Sequence, residues 1–250
     1  MIKNNFKIFF KNYLIFLKIN NLYKRKNLVN YSASVESIYN WKKKNTLNNI
    51  LKWYNSIKKS NKSRVKKIHL NKMKSWYLEN TQGTYNHDSK SFFRVEGYRT
   101  TNASREVGYW DQPFITQVGY VGGVIGLIRN EINGIPHYLV EAKFEPGNYN
   151  KIQISPSVQA TYSNLKRAHK GKSNKMISHL KASKTIVKKF VSEDGGRFMK
   201  KRNLHWIVQS NRKIIINDKN FKWLSLWEIK QLSLKKTVIS PHLRSIISLI

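Results

Sequence analysis

The chain has 250 residues, of which 40% are hydrophobic and 12% aromatic. That is enough apolar material for one large domain or two small ones, and it excludes wholesale disorder. The absence of cysteine excludes disulfide staples, thiolate metal sites, iron–sulfur clusters and thiol nucleophiles. The formal net charge of +34 is uneven: residues 1–75 hold 19 Lys and Arg against one acid, Glu36, and residues 166–250 hold 21 against four, whereas residues 76–165 hold seven against eight.

Lysine outnumbers arginine 36 to 11, and Lys, Asn and Ile together make 89 residues. An AT-rich coding sequence favours that trio, so mutational bias accounts for much of the charge, with a phosphate-binding footprint as the alternative.

In chain order, residues 1–45 read as a basic N-terminal extension. FKIFFKNYLIFLKI (6–19) interleaves Phe6, Phe9, Phe10, Leu14, Phe16 and Leu17 with Lys7, Lys11 and Lys18, which suits a basic interfacial helix; a poorly ordered leader is the other reading. Lysines interrupt the apolar run and no small-residue cleavage site closes it, which argues against a secretory signal. No stretch offers about 18 uninterrupted apolar residues, so no membrane span is expected; the lack of cysteine fits a reducing cytoplasm, the expected location. Residues 41–75 suggest a solvated basic helix followed by an extended piece ending at Trp76.

From about residue 90, short β-rich runs are punctuated by glycine. SFFRVEGY (91–98), PFITQVGYVGGVIGLIR (113–129), HYLVEAKFE (137–145), KIQISPSVQATYS (151–163) and NLHWIVQSN (203–211) are strand candidates. Asn133-Gly134 marks a hairpin. Residues 164–190 are Lys-rich and expected to be helical, WLSLWEIKQLSLKK (223–236) reads as an amphipathic helix, and Pro241 starts a last one. The expected fold class is α/β (α+β), with a mostly antiparallel or mixed sheet flanked by helices.

The densest chemistry lies in EAKFEPGN (141–148) and SPSVQATYSN (155–164). Pro146 and Gly147 make a turn. Lys143 and Glu145 alternate with Ala142 and Phe144, so both polar side chains share a strand face. Gln159, Thr161 and Ser163 share one on the next run, and together the two faces form a polar pocket wall. In SEDGGRF (192–198), Gly195 and Gly196 would let backbone N–H groups approach an anion and Arg197 would clamp a diphosphate, although Asp-Gly-Gly is also ordinary turn chemistry. Trp76 and Trp110 offer rings for stacking on a base or for a core. His169 is either a general base or a solvated helix residue. The seven histidines show no metal spacing, and neither GxxxxGK[ST] nor GxGxxG occurs.

Taken together, Trp76, SFFRVEG (91–97), WDQPFI (110–115), GGVIGLI (122–128), HYLVEAKFEPGN (137–148), SPSVQATYSN (155–164), SEDGGRF (192–198) and KKRN (200–203) resemble the NDP-hexose 2,3-dehydratases of deoxysugar biosynthesis. The resemblance covers roughly residues 50–250 and assigns 46–250 as the sugar 2,3-dehydratase-like domain. It implies a Nudix-like fold without a Nudix metal box, and elimination of water across C2–C3 of a dTDP-4-keto-6-deoxyhexose. That reaction implies no cofactor and no metal, and its product calls for a downstream sugar 3-ketoreductase.

The resemblance further implies Glu145, Lys143 and Tyr162 as catalytic residues. Substrate contacts would come from Trp76, Trp110, Gln112, Gln159, Thr161, Asn164, Arg167, Gly195, Gly196 and Arg197. Family members carry two repeats and this chain one, which implies a homodimer. Leu165 and Tyr162 stand where the family usually has tyrosine and arginine. A catalytically silent nucleotide-sugar-binding half, or a nucleic-acid-binding protein, are the rival readings.

Overall fold

The computed structural model describes residues 5–44, 46–104, 106–117, 122–165, 174, 176–235 and 237–250. Two helices come first, α1 (Asn5–Ile19) and α2 (Leu28–Ile38), then α3 (Leu47–Ser60) and an extended stretch. Strands β1 (Trp76–Glu79), β2 (Thr84–His87), β3 (Phe93–Thr100) and β4 (Trp110–Gln117) follow as an antiparallel meander.

The next strands are β5 (Val124–Ile132), β6 (Ile135–Phe144), β7 (Ile152–Pro156) and β8 (Val158–Ala160), with the short helices α4 (Tyr162–Leu165) and α5 (Ile177–Ala182) after them. The chain closes with β9 (Lys184–Ser192), β10 (Phe198–Met199), β11 (Arg202–Gln209), β12 (Phe221–Leu224), α6 (Leu226–Ser233) and α7 (Pro241–Ile247). A five-stranded sheet has the order β1-β2-β3-β4-β10, with β10 parallel to β4. A seven-stranded sheet has the path β12-β6-β5-β11-β9, with β7 on β6 and β8 on β5; its β5–β11 pair is parallel. The protein is thus a mixed α/β structure with two mixed sheets.

The seven-stranded sheet is apolar on both faces, so its strands lack the alternation of a half-solvated sheet. Leu127, Val140 and Ile207 point to one face and meet Ile50, Tyr54 and Ile57 of α3, Leu226 and Ile229 of α6, and Leu243 and Ile246 of α7. Their neighbours Ile128, Leu139 and Val208 point to the other face, under Met176 and Leu180. Asn133 and Gly134, at φ 53° and 78°, close the β5–β6 hairpin as the sequence predicts.

That hairpin is forked. β6 pairs with β5 from Ile135 to Leu139 and then with β7, while the start of β5 pairs with β8. Ser157, between β7 and β8, sits at the crotch: its Oγ accepts from Ile128 N (3.0 Å) and donates to the Leu139 carbonyl (2.7 Å). One expected strand, 151–163, therefore becomes two strands and a helical turn. The expected run 113–129 likewise resolves into β4 and β5 of different sheets, with 118–121 outside the described residues.

Two expectations of helix are corrected. Within 164–190, the part from Lys184 is strand: Thr185, Ile186, Val187 and Val191 are β-branched, and β11 offers them an antiparallel edge. Lys184, Lys188 and Lys189 then charge what is an edge strand, a common defence against edge-to-edge pairing. Within 223–236, Phe221–Leu224 pairs with β6, and α6 starts only after Ser225, whose side chain and that of Glu228 form a capping box. Pro241 does open α7, behind Ser240 as N-cap.

Residues 5–44 pack onto this body. Phe6 of α1 lies with Val35, Trp41 and Ile135 of β6. Glu36 of α2 is buried; its carboxylate accepts from Arg129 (2.7 Å), Ser32 (2.6 Å) and Tyr138 (2.8 Å). Lys42 reaches the buried Glu228 at 2.7 Å.

Candidate functional site

A cleft of about 390 Å³ opens where the two sheets meet. Gln117 at the end of β4 and Phe198 of β10 form one side; Gly123, Ile125, Gln159 and Thr161 form another; Glu193, Lys201, Asn203 and His242 close it. The glycines before β5 admit this geometry. A Cβ on Gly122 would stand 2.0 Å from the Arg202 carbonyl oxygen, and one on Gly123 would stand 2.4 Å from that of Ala160.

Two polar clusters meet at the cleft. In the first, Lys143 Nζ lies 2.9 Å from Glu145 Oε1 and donates to the Gln159 carbonyl at 3.4 Å. Gln159 Nε2 donates to the same Glu145 oxygen at 3.3 Å, while Gln159 Oε1 is buried without a hydrogen-bond partner among the described residues. Lys143, Glu145 and Gln159 thus lie in mutual contact, and Thr161 lines the cleft beside Gln159.

The second cluster escaped the sequence. Asn203 donates through Nδ2 to Glu193 Oε1 and accepts at Oδ1 from Gly123 N (2.8 Å), tying β11 to β5. His242 Nδ1 lies 3.8 Å from the same Glu193 oxygen. Burial pushes the His242 pKa below its ordinary 6.5; Glu193 opposes this, and Lys143, Lys201 and His205 reinforce it. Burial also lowers the Lys201 pKa, against the pull of Glu193. Glu193, Lys201 and Asn203 lie inside or beside the quoted strings SEDGGRF and KKRN, which hinted at them. Nothing in the sequence distinguished His242 from the other six histidines.

The remaining expected site residues lie elsewhere. Trp76 packs with Tyr85 (6.0 Å between centroids, 11° between planes), His87 and Phe93 on the five-stranded sheet. Trp110 Nε1 donates to Gln112 Oε1 (2.7 Å), and Gln112 Nε2 donates to the Gly196 carbonyl (2.8 Å), docking the glycine loop on β4. In that loop the Gly196 N–H already meets Asp194 Oδ1 (2.8 Å), and Arg197 is exposed. Thr161 Oγ1 accepts from Asn164 N (3.3 Å), placing Tyr162 and Asn164 in the turn that leaves the cleft. Arg167 and His169 lie outside the described residues.

A cleft that holds a half-buried imidazole near a carboxylate, a lysine and an amide pair suits proton transfer on a small polar molecule. Comparison with known proteins narrows the class: residues 47–250 match the family described as NDP-hexose 2,3-dehydratase, and the chain belongs to that family. It is 32% identical over 204 residues to the dTDP-4-dehydro-6-deoxy-alpha-D-glucopyranose 2,3-dehydratase of Amycolatopsis orientalis, a match covering 78% of this chain and 43% of that protein. Proteins of the same description from Streptomyces violaceoruber (32% over 176 residues, 69% of this chain) and Saccharopolyspora spinosa (30% over 193 residues, 76%) are also similar. The chain spans about two fifths of the length of the curated relatives it matches, 39–43%.

Proposed function

We propose that the cleft eliminates water across C2–C3 of a dTDP-linked 4-keto-6-deoxyhexose. The observation that carries this reading is the meeting of the Lys143–Glu145–Gln159 and Glu193–His242–Asn203 clusters within the family-matching segment. The C4 ketone acidifies the C3 proton. Neutral His242, held near Glu193, removes it, and Lys201 or Lys143 stabilises the negative charge that develops at O4. The C2 hydroxyl leaves as water with a proton from Tyr162 or from the Lys143 ammonium that Glu145 holds at 2.9 Å, and the enol then takes a solvent proton at C2 to give the 3,4-diketo sugar. Gln159, Thr161 and Asn164 position the sugar.

The same proposal places the diphosphate toward Arg167, Gly195, Gly196 and Arg197, and the thymine on either Trp76 or Trp110, the latter beside Gln112. It includes a Nudix-like arrangement of the fold, a homodimer that supplies two copies of the domain, a cytoplasmic location and a 3-ketoreductase as the next enzyme.

The test is incubation with the dTDP-4-keto-6-deoxyhexose in deuterium oxide, followed by NMR at C2 and C3. Loss of the C2 hydroxyl with one deuterium gained at C2 is the expected result. Exchange at C3 without elimination would leave the base in place and remove the proposed acid. Binding of dTDP with no exchange at either carbon would make this chain a silent binding half and overturn the enzymatic reading.

A further inference from the structure

Helix α1 has two apolar faces, and the chain covers only one. Phe6 and Leu17 are buried against the body, with Phe10 and Tyr13 packed beside them. About a third of a turn away, Ile8 (54% exposed), Phe9 (45%), Ile15 (45%), Phe16 (54%) and Ile19 (74%) form a second stripe. At 100° per residue these five side chains fall within an arc of roughly 120°, which they share with Asn5 and Asn12, and the stripe runs about 16 Å along the axis. Phe9, at one border, also packs on the Trp41 ring, 5.4 Å between centroids; along Ile8, Ile15, Phe16 and Ile19 the stripe lies open. Lys7, Lys11 and Lys18 lie along one border of the stripe, all exposed. The helix has no acidic residue. The lone acid of residues 1–75, Glu36, is buried against Arg129 and neutralises nothing at the surface.

From this arrangement we infer that α1 seats the protein on an anionic lipid surface, lying in the interface plane without spanning it. The stripe enters the boundary between headgroups and acyl chains, and Lys11 and Lys18 reach their ammonium groups back to anionic headgroups along their own methylene stems. Charge complementarity selects lipid over a second copy of this chain: two such helices face to face would oppose rows of lysines in which Glu131 answers only Lys7, leaving Lys11 and Lys18 facing like charge. Lys7 also reaches Glu131 of β5 at 2.6 Å, which fixes the helix to the body at this border. No described helix is long and apolar enough to cross a membrane, so the attachment is peripheral. An enzyme held this way would work beside the bilayer while its cleft, built from the other end of the chain, stays in water.

The experiment is flotation of the full-length protein with vesicles of phosphatidylcholine alone or with about 30 mol% phosphatidylglycerol, at near-physiological salt. Flotation with the anionic vesicles, and at least about tenfold less with neutral ones, is expected. The Ile8→Glu/Phe16→Glu double variant should lose that binding by more than about tenfold while its circular dichroism and thermal midpoint stay unchanged. Lys11→Ala and Lys18→Ala should each weaken it about fivefold on anionic vesicles. An independent readout uses Phe16→Cys, the chain having no other cysteine, carrying an environment-sensitive fluorophore: its emission should shift to the blue on anionic vesicles. Absence of flotation, flotation that the double glutamate variant leaves intact, or a label that stays in water would each overturn the inference. So would a dimer that does not float and that the same glutamates dissociate, since a second copy would then cover the stripe.

Discussion

His242 is the residue on which the proposed chemistry turns, and its surroundings decide its charge. Burial, then Lys143, Lys201 and His205, hold its pKa below the ordinary 6.5, while the Glu193 carboxylate 3.8 Å away pulls the other way. The imidazole is therefore neutral at pH 7, the form a base requires. The sign follows: kcat/KM should rise with pH along an acid limb whose midpoint lies below 6.5, and be flat near neutrality. Glu193→Gln removes the group that favours imidazolium, so the limb should move to still lower pH as turnover falls through lost orientation. His242→Gln should cost roughly 10²–10⁴ in kcat, the usual worth of a positioned general base, with dTDP affinity nearly unchanged. A pH–rate profile for the three proteins decides this; wild-type turnover in His242→Gln would remove the histidine from the mechanism.

At the scale of elements, the forked β5–β6 hairpin makes the cleft possible, because β8 can bring Gln159 and Thr161 to the start of β5 only where β6 has turned away. Ser157 holds the fork with two buried hydrogen bonds. Ser157→Ala leaves the Ile128 N–H and the Leu139 carbonyl without that partner, and an unsatisfied buried group costs about 1–3 kcal/mol. Urea unfolding should show a loss in that range with an unchanged slope; a loss under about 0.5 kcal/mol would mean that the fork does not depend on the hydroxyl. The legibility of the sequence follows the same division. Features set by neighbours in the chain could be read directly: the Asn133-Gly134 turn, the shared face of Lys143 and Glu145, Pro241 at a helix start. Features set by tertiary partners could not. Lys184–Ser192 is a strand because β11 has an edge to fill, Phe221–Leu224 is a strand because β6 does, and His242 meets Glu193 only after α7 docks on the sheet. The Ser225–Glu228 capping box was a local signal, overlooked because the surrounding apolar spacing already suited a longer helix.

For the whole molecule the question is whether residues 5–44, which precede the family match at 47, belong to the same cooperative unit. The contacts argue that they do. Glu36 of α2 is the counter-charge for Arg129, which also holds Gln209 of β11, and it accepts from Tyr138, a side chain with no exposure at all. Burial and the Glu36 carboxylate both push the Tyr138 phenol pKa well above its usual value, so the phenol stays neutral and keeps its proton to donate to Glu36. A second tie runs from Lys42 to Glu228. Burial works against that carboxylate, yet Lys42 and the capping bonds hold its pKa below the ordinary range, so α6 depends for its charge balance on a residue of the N-terminal segment. Glu36→Gln keeps the shape and strands the Arg129 charge. Breaking one side of a buried pair typically costs about 3–5 kcal/mol, and here that loss should appear as a lower midpoint of a single unfolding transition seen alike by tryptophan fluorescence and circular dichroism. Arg129→Met combined with Glu36→Gln should recover part of it, because the double change removes both charges instead of isolating one. If Glu36→Gln instead melts only a small helical fraction at low temperature and leaves the main transition where it was, the first two helices are an appendage and the body stands without them.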